Sequence, residues 1–179
     1  SSGSSKPVTG KAPETDEEED ADAEVPILVD LPPSARRSLD QVGVLGMDDG
    51  DMGAQAFGVA DGRYLNTLLR NIDAPIVSRW SSIVLRRALL SRSVTPPNVN
   101  GADWVAERSW LLLRMGEADS ARLLVQSVDT DRFTPRLFEV GMQSALANAD
   151  PASVCGMVDG ALVESKEKAW KMSRAICLA

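Results

Sequence analysis

The sequence predicts an all-α fold in which antiparallel helical hairpins stack side by side as an α-solenoid, after a disordered acidic tail. Three observations carry this prediction. Apolar residues make up 44% of the 179 residues but aromatic residues only 4%, a composition that suits helix-on-helix packing. From position 62 onward, apolar residues recur at helical spacing between turn-forming residues. A two-helix pattern also recurs with a period of about 33 residues.

Residues 1–32 are predicted to be a disordered linker, because they combine Ser, Gly and Pro with acidic residues and offer little to bury. They hold nine of the 26 acidic residues and two of the 19 basic ones, so they carry the whole net charge of −7. The sequence leaves two roles open for them, a solvated spacer or an acidic docking tail. The apolar stretch 25–31 (VPILVDL) is compatible with an extended strap along the folded body.

The remaining residues, 33–179, are electrically balanced, with equal numbers of acidic and basic side chains. A protein that binds nucleic acid needs a basic surface to neutralise phosphates. The balance therefore argues against nucleic acid as the main ligand.

Residues 33–61 are predicted to be an irregular, glycine-rich lead-in with one short helix. Ser34 is a candidate cap for that helix, which would end at Ser38 or Val42. The acidic run 47–51 lacks the spacing of a calcium loop beyond Asp51. The segment is therefore expected to be a flexible connection whose apolar residues touch the first helix; these are Val44, Leu45 and Phe57.

Residues 62–179 are predicted to be the helical-hairpin array, and its first hairpin spans 62–92. Asp61 is a candidate N-cap, and Pro75 sits in the first turn of the second helix, where its missing N–H costs nothing. The first helix has one apolar stripe: Tyr64, Leu65, Leu68, Leu69 and Ile72. The residues predicted to face inward from the second helix are Ile76, Trp80, Ile83, Val84, Ala88, Leu89 and Leu90.

The best-defined hairpin is 100–128, in which Asn100 caps the first helix and Gly116 suits a left-handed turn at its end. Further helices are predicted to begin near Thr134, Asp150 and Ser165. The apolar pattern runs to the last residue, so we expect this chain to be a piece of a longer protein whose array continues beyond Ala179.

The repeat is clearest when residues 33 positions apart are compared. Trp104 corresponds to Leu137 and then to Trp170, Arg108 to Arg174 and Leu112 to Leu178, while Gly141 replaces the arginine in the middle copy. The stretch 104–128 resembles a tetratricopeptide hairpin, because an aromatic residue opens its first helix, Gly116 marks the turn and Ala121 comes early in the second helix. The resemblance covers about residues 100–179 and is degenerate, since the family's central tyrosine and closing proline are not evident.

The resemblance implies a protein that binds peptides or other proteins in a groove lined by the first helices of the repeats. It makes four residues candidate groove contacts, with an ordinary solvated face as the alternative interpretation: Glu107, Arg114, Arg136 and Gln143. The chain is also similar to helical-repeat proteins of the α-proteobacterial cell envelope. The similarity rests on its frequent Ala, Arg and Asp, the absence of Lys from 33–165 and its acidic N-terminal segment.

These similarities lead to two functional hypotheses. The first is a non-catalytic scaffold for protein–protein interaction in the bacterial cell envelope. The second is a helical accessory region of a larger envelope enzyme whose catalytic domain lies downstream. A periplasmic location is expected in either case, with the cytoplasm as the alternative.

The two cysteines, Cys155 and Cys177, lie at equal distances from residue 166, inside a predicted helical turn. Residues equidistant from the turn of an antiparallel hairpin lie side by side, so a disulfide is geometrically reasonable. It would indicate an oxidising compartment, which for a bacterial chain is the periplasm. Two buried free cysteines that act as small apolar residues are the alternative.

No catalytic constellation is found in the sequence. The chain has no histidine, which removes Ser-His-Asp and Cys-His nucleophilic designs and most catalytic zinc sites. No nucleophile elbow, phosphate loop or dinucleotide fingerprint is present. We therefore expect no cofactor and no metal, and the short apolar runs predict no membrane span.

Overall fold

The structure is a computed structural model, and it describes residue 32 and residues 34–178. The predictions made for residues 1–31 lie outside this range. The described residues confirm a mainly helical fold, with seven α-helices and two short strands. The helices are α1 (Gly62–Asn71), α2 (Arg79–Leu90), α3 (Gly101–Arg114), α4 (Ala118–Val125), α5 (Pro135–Ala147), α6 (Cys155–Glu164) and α7 (Lys168–Cys177), and the strands are β1 (Gln41–Val42) and β2 (Ser93–Val94).

Several helices begin where the sequence predicts, because their first turns are capped by side chains. Asp61 accepts hydrogen bonds from the backbone N–H groups of Arg63 and Tyr64, and Asn100 accepts one from Ala102. Helix α2 begins four residues after Pro75, because Ser78 is its cap. Helix α3 ends before Gly116, whose φ of +83° is the left-handed conformation that favours glycine.

The two strands depart from the expected all-α fold. β1 pairs antiparallel with β2, with Gln41 opposite Val94 and Val42 opposite Ser93. The helix expected from Ser34 is not formed; residues 34–42 form a turn and then β1, and the short helix of this segment is a 3-10 turn at Met47–Asp49. The reason is tertiary, since the backbone donors that follow β1 bond to the carbonyl of Leu90.

Helix α3 lies at the centre of the packing and contacts α1, α2, α4 and α5. Its Trp104 is fully buried and meets the ring of Phe57 edge to face, with centroids 4.7 Å apart. Phe57 was expected to touch the first helix, so the lead-in packs deeper than the sequence suggested.

The predicted 62–92 hairpin is only partly formed, because α1 and α2 pack on α3 more than on each other. Four apolar side chains expected to face inward are therefore exposed: Tyr64, Leu68, Trp80 and Val84. This corrects the sequence interpretation of both helices.

Burial repeats with the 33-residue period. Trp104, Leu137 and Trp170 are all buried. Four further pairs, also 33 positions apart, are buried in both members. In each pair the first residue lies in or just after α4 and the second in or just before α6: Ala121 and Val154, Leu124 and Met157, Val125 and Val158, Val128 and Ala161. Burial is therefore repeated at these positions, although Leu178 is 77% exposed where its counterpart Leu112 is buried.

A disulfide joins Cys155, the first residue of α6, to Cys177, the last residue of α7. Their Cα atoms are 5.6 Å apart, and the two residues are 22 positions apart in the sequence. The bond closes the hairpin of α6 and α7 at the end opposite its turn, as the mirror placement about residue 166 allows.

Candidate functional site

A charged cluster joins α1, α3 and α5 on one face of the protein. Glu107 of α3 accepts hydrogen bonds on Oε1 from Arg70 Nη2 of α1 at 2.6 Å and from Arg136 Nε of α5 at 3.2 Å. Arg114, at the end of α3, donates from Nη1 to the backbone carbonyl of Arg70 at 2.9 Å. We call Arg70, Arg114 and Arg136, with Glu107 beneath them, the arginine cluster.

Glu107 was predicted to face the groove, and that prediction is wrong because its side chain is fully buried. Neighbouring helices cover α3 on several sides, and Glu107, three residues after the buried Trp104, shares a helix face with it and is also inside the protein. A buried carboxylate is stable only when it is paired and hydrogen-bonded. Glu107 therefore holds the site together from below.

The other three candidates lie at or near the surface. Arg114 and Arg136 are half-buried, and Gln143 is exposed two turns along α5 from Arg136. Arg70 was missed by the sequence analysis because it comes from a different helical pair, and no local pattern links it to position 107.

The guanidinium groups of the cluster are held in place yet remain accessible. The Arg70 side chain is 55% exposed and that of Arg136 is 30% exposed. Arg136 also pairs with Glu139 at 3.0 Å and lies over the ring of Trp110, 5.3 Å from its centroid.

The charge of Arg70 is stabilised by its partner. Its hydrogen bond to Glu107 raises the pKa of Arg70, against the opposing effect of partial burial. Within the part of the chain that the structure describes, the guanidinium group of Arg70 donates one hydrogen bond, to Glu107. The remaining donors suit the planar, two-point recognition of a carboxylate.

Arg108 has a different role, although it lies one residue from Glu107. It is fully buried and donates to three backbone carbonyls, those of Leu89 at 2.7 Å, Val42 at 2.9 Å and Ser91 at 2.7 Å. Burial lowers its pKa to about 9, with Asp51 opposing the shift. Arg108 therefore ties the segment around β1 and β2 to α3 and cannot contact a partner.

Neither a metal site nor a membrane span is found in the part of the chain that the structure describes. No group of three or more side chains there is arranged to hold a metal ion. No helix among these residues has the length and apolar character needed to cross a membrane.

Comparisons of this chain with protein-family models, with curated proteins and with solved structures find no match. The tetratricopeptide resemblance therefore stays a prediction.

Replacing Glu107 with glutamine is expected to lower the free energy of unfolding by roughly 1–2 kcal/mol. The amide keeps the shape of the side chain but removes the charge that Arg70 and Arg136 share. The measurement is urea unfolding followed by far-UV circular dichroism. Glu139→Gln is the matched control, because it removes a surface partner of Arg136 and should cost less than about 0.5 kcal/mol. Equal losses in the two variants would contradict the bridging role of Glu107.

Proposed function

We propose that residues 62–178 form a short α-solenoid of the tetratricopeptide type that serves as a non-catalytic scaffold for protein–protein interaction. The repeated burial of Trp104, Leu137 and Trp170 supports this architecture. Units that bury equivalent residues against their neighbours are the basis of solenoid folds. Helices α1, α3 and α5 then take the place of first helices, whose face is the binding surface in that type of fold.

The observation that carries the proposal is the meeting of three arginines from α1, α3 and α5 on this face. Arg70 and Arg136 are oriented by one buried carboxylate, and Arg114 is fixed to the backbone of Arg70. Orienting these long side chains in advance reduces the entropy lost on binding. Such an arrangement favours a ligand that brings carboxylates, and we propose an acidic segment of a partner protein.

The bacterial cell envelope is the proposed location. The described residues contain no free cysteine, because Cys155 and Cys177 are bonded to each other. Disulfides persist in oxidising compartments such as the periplasm and are rare in the cytosol.

The test is fluorescence anisotropy of the full chain with a labelled peptide that alternates Asp or Glu with Leu. The double variant Arg70→Gln/Arg114→Gln is expected to raise the Kd about tenfold, as the loss of two charge-assisted contacts predicts. Glutamine at position 70 can still donate a hydrogen bond to Glu107, and Arg136 is unchanged. The packing of α1, α3 and α5 around Glu107 is therefore expected to persist.

The matched control is Arg63→Gln, which removes an exposed arginine from the same helix as Arg70. It should leave the Kd within about twofold. Equal weakening by the control and the double variant would contradict the proposal. The same conclusion would follow if a peptide with Asn and Gln in place of the acidic residues bound equally well.

A further inference from the structure

The outer face of α2 combines exposed apolar side chains with cations. Val77 is fully exposed, Trp80 is 78% exposed and Val84 is 52% exposed. Trp80, Val84 and Arg87 follow one another at helical spacing along one face of α2. Val77 lies just before the helix, and Arg79 flanks the three. We call these five residues the α2 surface. An exposed tryptophan beside two valines is an apolar patch of the kind that marks an interaction site.

The α2 surface is also positively charged. No acidic residue occurs between Asp73 and Asp103, a stretch that contains four arginines. Arg86 is paired with Glu117 at 2.6 Å. Arg79 and Arg87 form no ion pair with any residue that the structure describes, so their charges are free to meet an external partner.

The turn around Gly50, which carries acidic residues on both sides, approaches the guanidinium group of Arg87: a Cβ at position 50 would lie 3.8 Å from its Cζ. Their carboxylates are engaged locally, since Asp49 accepts from the N–H of Gly46 and Asp51 accepts from that of Gly53. Neither carboxylate forms an ion pair with Arg87, so the guanidinium N–H donors of Arg87 stay available.

The N-terminal segment of the same chain has the complementary chemistry. Residues 14–24 contain eight acidic residues, and the apolar stretch 25–31 follows directly. An occupant with adjoining acidic and apolar parts matches a surface with adjoining cationic and apolar parts. Residues 33–179 are neutral as a whole, so this segment is the strongest source of negative charge within the chain.

The distance is within reach of the segment. The described chain is fixed near its start, because the backbone N–H of Arg37 donates to Asp129 at 2.7 Å and its Nη1 donates to the carbonyl of Gln126 at 2.6 Å. The 13 residues from Arg37 back to Glu24 can span up to about 43 Å. That exceeds the width of a domain of this size, roughly 35 Å.

We propose that residues 14–31 dock on the α2 surface of the same molecule. The acidic block faces Arg79 and Arg87, and the apolar stretch covers Val77, Trp80 and Val84. The tail is then an intramolecular competitor for any acidic partner of this surface. The α2 surface shares no residue with the arginine cluster, so this inference stands independently of the proposed function.

The test is acrylamide quenching of Trp80 in the full chain, with its signal isolated by subtracting the emission of a matched Trp80→Phe variant. In the wild-type chain at low salt, Trp80 is expected to be shielded. Neutralising the tail (Glu17, Glu18 and Glu19→Gln with Asp20→Asn) should increase its quenching about twofold, as should 1 M salt, where the Debye length falls to about 3 Å. Arg79→Gln/Arg87→Gln should have the same effect.

The matched control neutralises two exposed acidic residues elsewhere, Glu164→Gln and Glu167→Gln, and should leave the quenching of Trp80 unchanged. Quenching that is identical in the wild-type and tail-neutralised chains would overturn the proposal. Shielding that grows with protein concentration would also overturn it, because a second copy would then be the occupant.

Discussion

Replacing Arg108 with alanine is expected to lower the free energy of unfolding by about 3–5 kcal/mol. The carbonyls of Val42 and Leu89 would lose the Arg108 donor, and that of Ser91 would keep only the N–H of Ser93. An unsatisfied buried acceptor costs about 1–3 kcal/mol. The guanidinium group also lies over the rings of Phe57 and Trp104, 5.6 Å and 5.7 Å from their centroids. Urea unfolding followed by circular dichroism measures the loss.

The repeat itself supplies the control for this prediction. Arg174 occupies the equivalent position two repeats later. Its side chain is about half exposed, and its ion pair with Asp159 is long, at 3.9 Å. Arg174→Ala should therefore cost no more than about 0.5 kcal/mol. Arg108→Lys keeps the charge but loses the planar fork, so its cost should fall between the other two. Similar losses at positions 108 and 174 would contradict the anchoring role of Arg108.

Removing the disulfide by the double substitution Cys155→Ser/Cys177→Ser is expected to cost about 3 kcal/mol, the chain-entropy value for a loop of this length. The bond closes the hairpin of α6 and α7, which packs on the rest of the protein through α5. Hydrogen exchange should therefore accelerate most in α6 and α7.

Dithiothreitol provides the control. It should destabilise the wild-type chain by the same amount and leave the double serine variant unchanged. Thiols can be counted after the wild-type protein is unfolded without reductant. Two reactive thiols would show that the cysteines are free and would contradict this prediction.

The features that the sequence predicts well depend on neighbouring residues. Caps at Asp61 and Asn100 and the left-handed Gly116 are local signals, and the helices begin or end there. The proximity of the two cysteines is also a local signal, because both lie at the same distance in sequence from one predicted turn.

Features that depend on distant residues were missed or misassigned. The pairing of Gln41 with Val94 joins segments more than fifty residues apart in sequence, and the sequence assigned an irregular region there. Trp80 was assigned to the core because helical spacing shows which residues share a face but not whether another helix covers it. Glu107 was assigned to the surface for the same reason, because its partners Arg70 and Arg136 come from two other helices.

Binding of an acidic segment on the arginine cluster is the central claim, and side-chain NMR of the full chain tests it most directly. Arginine Nε–Hε signals can be followed while the alternating acidic peptide is added. The signals of Arg70, Arg114 and Arg136 are expected to shift together along one saturable curve, while that of Arg63 stays in place. Shifts confined to Arg79 and Arg87, or no saturable shift in the cluster, would contradict the claim.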